Sequence, residues 1–157
     1  TVTAPLRPAS AAPEGLVARR LSTVATAVYA SHAYADERRG IERTALDWLA
    51  PDDSLSHLGS ARWIAAHVAM DRIVHRASSL PALRAAARAG MGVAPLPCCI
   101  GDPDPALVRI SPPEPEMASA LWLLTHPDLR GTGRVRAVLD RLAQHFTRYR
   151  RLLEGTA

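Results

Sequence analysis

Three serines, two aspartates and two cysteines are the residues of this chain whose types and spacing bear most directly on chemistry. Ser78 and Ser79 stand immediately before the run Leu80–Ala89. A helix starting there leaves its first backbone N–H groups without partners, and together with the helix dipole they favour an anion or carboxylate. Serine at that place is also an ordinary N-cap, which needs no ligand. Asp52, Asp53 and Ser54 follow Pro51 at the end of a short apolar run, Leu46–Ala50. Open α/β sheets bind ligands beyond the carboxyl ends of their strands, so this loop is a candidate contact, with a solvated turn as the plainer alternative. Its carboxylates suit a cationic or hydrogen-bond-donating ligand, in tension with the anion-favouring helix start. A ligand carrying both kinds of group reconciles the two.

Cys98 and Cys99 are the only cysteines, and they are adjacent. A nucleophilic or redox-sensing thiol needs an electropositive, partly exposed setting or a nearby base, and no such setting is visible in the sequence. Burial as small apolar side chains is the favoured reading. Neighbouring cysteines staple no distant segments, so no disulfide framework is implied and a reducing compartment is the default. The six histidines (His32, His57, His67, His75, His126, His145) form neither an HExxH pattern nor a Cys/His zinc spacing, though His67 and His75 flank a turn. Gly131-Thr132-Gly133 is read as a flexible helix entry. With no GxGxxG, P-loop or nucleophile elbow, no cofactor is expected.

The elements that position these residues follow from periodicity and punctuation. Val2–Arg7 is a possible strand weakened by Pro5, and Pro8–Gly15 a loop. Leu21–Ala30 alternates with apolar groups on both sides, which predicts one strand buried on both faces. Ser31 caps a short helix over His32–Arg39, ended by Gly40. Leu46–Ala50 is a strand, Ser60 caps a helix to His67, and Ile73–His75 is a strand. Leu80–Ala89 is a helix stopped by Gly90, and Gly92–Leu96 a strand closed by Pro97. Strand, helix, strand here predicts a parallel, right-handed βαβ unit. Asp102–Pro105 is a turn, Ala106–Ile110 an edge strand, Ser111–Pro115 a crossover and Ala120–Thr125 an apolar strand. A single final helix spans Thr132–Glu154, its stripe formed by Val135, Val138, Leu139, Leu142, Phe146, Tyr149 and Leu153.

The 157 residues suit one domain or two small lobes, and 48% apolar content suffices for a core. The net charge of +4 rests entirely on arginine, with no lysine. The arginines are scattered rather than clustered, and even Arg148, Arg150 and Arg151 read as a solvated helix face, so nucleic-acid binding by these residues is not indicated. No apolar run approaches the roughly 18 residues of a membrane span. The start, Thr1-Val2-Thr3-Ala4-Pro5, has neither an initiator Met nor a signal-peptide pattern and reads as mid-domain.

Six segments in order carry a resemblance. They are Leu16–Leu21, Tyr29–Tyr34, Ala89–Ala94 with Leu96-Pro97, Leu107–Arg109, His126–Arg130, and Arg134–Ala137 with Leu139-Asp140. Together they resemble the effector-binding domain of LysR-type transcriptional regulators over nearly the whole chain. The resemblance implies an α/β, type 2 periplasmic-binding-protein-like fold in which effector lies between two lobes. Residues 22–110 would form the complete second lobe, and residues 1–21 and 111–157 a remnant of the first. The DNA-binding helix-turn-helix and the opening of lobe one are absent from this sequence. Pro5 and Pro95 depart from the family's regular strands.

By the same resemblance, the effector-binding residues would be Arg7, Asp53, Ser54, Ser78 and Ser79. The Asp53–Ser54 loop would line the cleft and the Ser78–Ser79 helix end would face the effector. Arg7 would approach from the lobe-one side, the alternative being a surface arginine. The implied partners are a small-molecule effector, a homodimer or tetramer involving the Leu80–Ala89 helix, and DNA only through the missing helix-turn-helix. No membrane partner is expected, the implied location is cytoplasmic, and the implied role is sensing rather than catalysis. Two alternatives remain: a small thiol hydrolase using Cys98 or Cys99 with a histidine, and a solute-binding protein of transport.

Overall fold

The chain changes sheets at Ala25, in the middle of the segment Leu21–Ala30 expected as one strand. The computed structural model describes the backbone of residues 6–9 and, in full, residues 15–129 and 131–157. Strand β2 (Val17–Val24) ends at the break and β3 (Thr26–Ser31) begins after it. Ala25 donates its N–H to the Leu153 carbonyl at 2.8 Å and accepts from the Cys98 N–H at 2.8 Å. Its backbone is therefore satisfied by neither flanking sheet. The alternation of side chains runs through the break unchanged, so periodicity gives no warning of it.

β1 (Leu6–Ala9) and β2 flank β8 (Ser119–Thr125) in an antiparallel sheet, with Leu6 opposite Leu123 and Val24 opposite Ser119. β3 lies antiparallel between β6 (Ala94–Pro97) and β7 (Leu107–Arg109). β4 (Trp48–Pro51) pairs in parallel with β5 (Ile73–Ala77), and a parallel bridge from Trp48 to Val93 joins β4 to the start of β6. The lateral order is thus β7-β3-β6-β4-β5. The predicted βαβ unit is parallel, with β4 inserted between its two strands.

The β4–β6 pairing goes no further because of proline. The Val93 N–H donates to the Asp47 carbonyl at 2.8 Å. Strand alternation points Pro95 and Pro97 toward that same neighbour, and neither has an N–H to give. Pro95 is accommodated inside β6, opposite Val28, because its missing donor faces this unpaired side. Pro5 lies outside the described residues.

α1 (His32–Glu37) starts where Ser31 Oγ accepts from the Tyr34 N–H, and it stops short of Arg39. α3 (Leu80–Arg88) is capped by Ser79 Oγ, which accepts from the Ala82 N–H at 3.2 Å, and Gly90 follows it in the left-handed region at φ 77°. α2 (Gly59–His67) corrects an expectation: Ser60 lies inside it, and Leu58 occupies the N-cap with no side-chain bond to offer. α4 (Cys98–Gly101) was not foreseen, its four residues being too few for a periodic signal. The predicted final helix divides into α5 (Gly133–Arg148) and α6 (Arg150–Leu153) around Tyr149. Among the described residues no helix is long and apolar enough to cross a membrane.

Alternate residues of β3 feed two cores. Ala27 and Tyr29 pack with Leu49, Leu96 and the Leu83, Ala86 and Ala87 stripe of α3. Val28 and Ala30 pack with Trp48, Met117 and the Trp63 and Ile64 stripe of α2. A fully buried leucine such as Leu83 contributes about 1.5–3 kcal/mol by burial alone. A third, smaller cluster joins Val24, Leu121 and Leu153, with Phe146 and Cys99 packed against it. It sits where the chain crosses from one sheet system to the other.

Candidate functional site

A cavity of about 390 Å³ opens beside this third cluster. One wall is Val24, Ser119, Leu121, Phe146 and Leu153. The other is built from Thr26, residues 57–60 and Arg62 of α2 and its entry, Leu80 at the start of α3, Pro95 and Pro97 of β6, and Cys99 and Ile100 of α4. Met117 and Ala118, on the return crossover, close it between them. Its size falls at the lower end of the roughly 300–1,000 Å³ typical of small-molecule sites.

The polar side chains in this lining are few. Ser60 and Thr26 are buried, exposed by only 5% and 7%. Neither hydroxyl is hydrogen-bonded within the described residues, although no sealed side-chain oxygen or nitrogen among them lacks a partner. Both oxygens are therefore open to solvent, on residues that line the cavity. The N–H groups of Gly59 and Ser60, the first two of α2, also have no acceptor among the described residues. Among the described residues the charged or titratable side chains in the lining are His57 and Arg62 together with the Cys99 thiol, with no carboxylate. Arg62 donates to the His57 carbonyl at 3.1 Å, which holds the turn before α2.

The residues singled out from sequence stand behind this lining. β4 and β5 end side by side, Pro51 opposite Ala77, and the Asp52 N–H donates to the Ala77 carbonyl at 2.9 Å. The Asp53–Ser54 turn and the Ser78–Ser79 pair are thereby brought together at adjacent strand ends. None of Asp53, Ser54, Ser78 and Ser79 lines the 390 Å³ cavity. Ser54 donates to the Asp52 carboxylate, Asp53 lines a separate hollow on the far side of α2, and Ser79 is engaged in capping. The side chain of Arg7, opposite Trp122 on β1, lies outside the described residues. Sequence reasoning passed over Thr26 and Ser60. The first was read as one more residue of an unbroken strand, and the second as a cap, which would have engaged its hydroxyl.

A latch ties β3, β7 and the residue after α4 to the C-terminal end. The Tyr29 hydroxyl donates to Asp102 Oδ1 at 2.6 Å, Arg109 Nε donates to the same oxygen at 2.7 Å, and Arg109 Nη2 donates to the Gly155 carbonyl at 3.0 Å. Burial alone would raise the Asp102 carboxyl, but Arg109 and Tyr29 outweigh it and hold it below the usual range. Burial pushes the Cys98 thiol up despite the Tyr29 hydroxyl and Arg109, and burial also pushes up Cys99. Neither thiol is paired with a histidine. His67 stacks on Trp63 and donates to its carbonyl, and His75 is exposed on β5. Among the described residues no group of three His, Cys, Asp or Glu side chains could hold a metal ion.

Residues 3–147 match the profile described as the LysR substrate binding domain. Solved structures share the fold at low identity. The regulatory domain of AphB from Vibrio vulnificus is 22% identical with a TM-score of 0.63, over 88% of this chain and 73% of that one. The regulatory domain of CrgA, a LysR-type transcriptional regulator from Neisseria meningitidis, is 21% identical with a TM-score of 0.63, over 89% and 74%. The effector domain of AmpR from Pseudomonas aeruginosa is 18% identical with a TM-score of 0.69, over 93% and 72%. The chain spans only 51% of a full-length AphB variant. No curated protein matches it.

Proposed function

The chain belongs to the family of LysR substrate binding domains, the effector-binding regulatory modules of LysR-type transcriptional regulators, and from that premise we propose that the 390 Å³ cavity is its effector site. The observation that carries this reading is position. The cavity lies against both passages of the chain between its sheet systems, at Ala25 and at Met117–Ala118. Residues 26–110 act as one lobe and the described residues on either side as part of the other. The boundary falls at Ala25 rather than at residue 22, because Ser22–Val24 pair with β8 in the other sheet. A ligand held there touches both, so it binds better when they approach. That difference in affinity between open and closed states is what a switch requires.

Asp53, Ser54, Ser78 and Ser79 support the site from behind, holding the loops that place Gly59 and Leu80. The module senses rather than catalyses, a reading supported by two thiols whose burial keeps them protonated. In the longer protein it works in the cytoplasm as a homodimer or tetramer, and DNA is read by a domain outside these residues.

The test is calorimetry against a panel of small acids, amides, amines and amino acids, with Leu80→Trp as a cavity-filling variant and circular dichroism as the check on folding. At least one compound is expected to bind the native protein and to lose at least tenfold in affinity for the filled variant. Equal binding to both by every compound that binds, or no binding at all, overturns the assignment.

A further inference from the structure

We infer that the effector is a small organic acid with an apolar body, its carboxylate seated on the start of α2. This rests on the cavity being the effector site and goes further by fixing the ligand's charge and orientation. α2 is nine residues long and begins without a side-chain cap. Its first two N–H groups, on Gly59 and Ser60, are free, and a helix N-terminus carries a partial positive charge. A second observation points to a ligand at the same place. The Ser60 hydroxyl, on a residue 95% buried that lines the cavity, has no partner among the described residues and is not sealed from solvent.

A carboxylate accepts from two N–H groups and a hydroxyl at once, and charge-assisted bonds of this kind are the strong ones. An ammonium group would bring further donors to a site already supplied with them. Arg62 adds positive charge at the rim, with no carboxylate among the described lining residues to oppose it. The facing wall sets the rest of the molecule. Val24, Leu121, Phe146 and Leu153 make it mostly hydrocarbon, with Ser119 its one polar side chain, which accommodates a ring or branched chain better than the further charged oxygens of a phosphate.

The experiment uses benzoate, phenylacetate, 3-phenylpropanoate and 4-methylpentanoate, each with its amide and its amine, and inorganic phosphate as a separate arm. Affinity is measured by calorimetry, and the Gly59 and Ser60 amide resonances are followed by NMR. At least one acid is expected to bind at least tenfold more tightly than its amide, with no binding of its amine or of phosphate, and to move both resonances. Ser60→Ala is expected to weaken that acid about ten- to a hundredfold, while Ser60→Thr retains most of its affinity. If an amide, amine or phosphate binds as tightly as any acid and loses that binding in Leu80→Trp, the cavity assignment stands and the acid inference falls. If nothing binds in a way that Leu80→Trp abolishes, both fall.

Discussion

Two glycines occupy the same position in different helices, and replacing each with alanine should move stability in opposite directions. Gly59 and Gly133 are the first residues of α2 and α5. Alanine gains up to about 1 kcal/mol over glycine in a helix, less at an end. A Cβ on Gly133 meets nothing within 4 Å, so Gly133→Ala should keep most of that gain, about 0.5 kcal/mol. A Cβ on Gly59 would lie 2.7 Å from the Glu116 carbonyl oxygen and 3.2 Å from Met117 Cα, where ordinary contact begins at 3.4 Å. Both obstacles are backbone, in the one-turn helix Pro115–Met117 on the return crossover, and cannot rotate away. Overpacking of this kind costs about 1–3 kcal/mol, which exceeds the helical gain and leaves a net loss of about 1–2 kcal/mol. At roughly 2–4 °C per kcal/mol for a chain of this size, Gly59→Ala should melt about 2–8 °C below the native protein. Gly133→Ala should melt about 1–2 °C above it. Thermal unfolding by circular dichroism, with urea titration for the free energies, decides the matter. If Gly59→Ala is stabilised as much as Gly133→Ala, the crossover yields freely and does not form a firm wall of the cavity.

Three further outcomes follow from the charged and thiol groups. Because burial raises both cysteine thiols, iodoacetamide should label the folded protein slowly at pH 7 and faster with rising pH, as mass spectrometry would record. Rapid labelling of either at neutrality would revive the thiol-enzyme reading. The hydrogen bond from Arg84, at 2.6 Å, holds the Asp104 carboxyl below its ordinary 3.8. The unfolded chain therefore takes up that proton first, so the stability Asp104 contributes is complete above pH 3.8 and drains away as pH falls below it. Native protein should lose stability more steeply than Asp104→Asn in that acid range, and parallel curves would remove the argument. Arg109→Ala should cost about 1–2 kcal/mol by urea titration, since it leaves Asp102 with one partner and the Gly155 carbonyl with none. No change in the unfolding midpoint would show that the latch at α6 carries no load.

Much of the fold was legible wherever a single residue forces a local conformation. Ser31 and Ser79 cap α1 and α3 as expected, and Gly40 and Gly90 follow them in the left-handed region. What escaped was set by backbone pairing between distant segments. Ala25 breaks the strand because Leu153 and Cys98 take its hydrogen bonds, and nothing in the alternation around it records those partners. Ser60 is of a capping type but is the second residue of the helix, two past the N-cap, since the turn at residues 53–58 is longer than the pattern indicated. Asp53 and Ser79 stand beside adjacent strand ends, as their place in the sequence indicates, and the residues that bound the 390 Å³ cavity are their neighbours, chosen by the packing of α2 against the crossover.

The uncapped start of α2 suggests a trade between stability and binding. α1 and α3 each begin on a serine that satisfies an N–H, whereas α2 begins on Leu58, which cannot. A cap is worth about 0.5–2 kcal/mol, and if the effector supplies it, the free protein forgoes that stability until ligand arrives. Leu58→Asp should build the cap into the chain, with its carboxylate on the N–H groups of Ser60 or Ala61 and its charge where a ligand's carboxylate would sit. Leu58→Ala is the proper reference, since both variants lose the half-buried leucine. Against that reference the aspartate variant should be more stable by about 0.5–2 kcal/mol in urea titration. It should also lose all measurable acid binding that Leu58→Ala retains, through occupied donors and like-charge repulsion. An aspartate variant that gains the stability yet binds acids as well as the alanine variant would mean that this helix end is not where the anion rests.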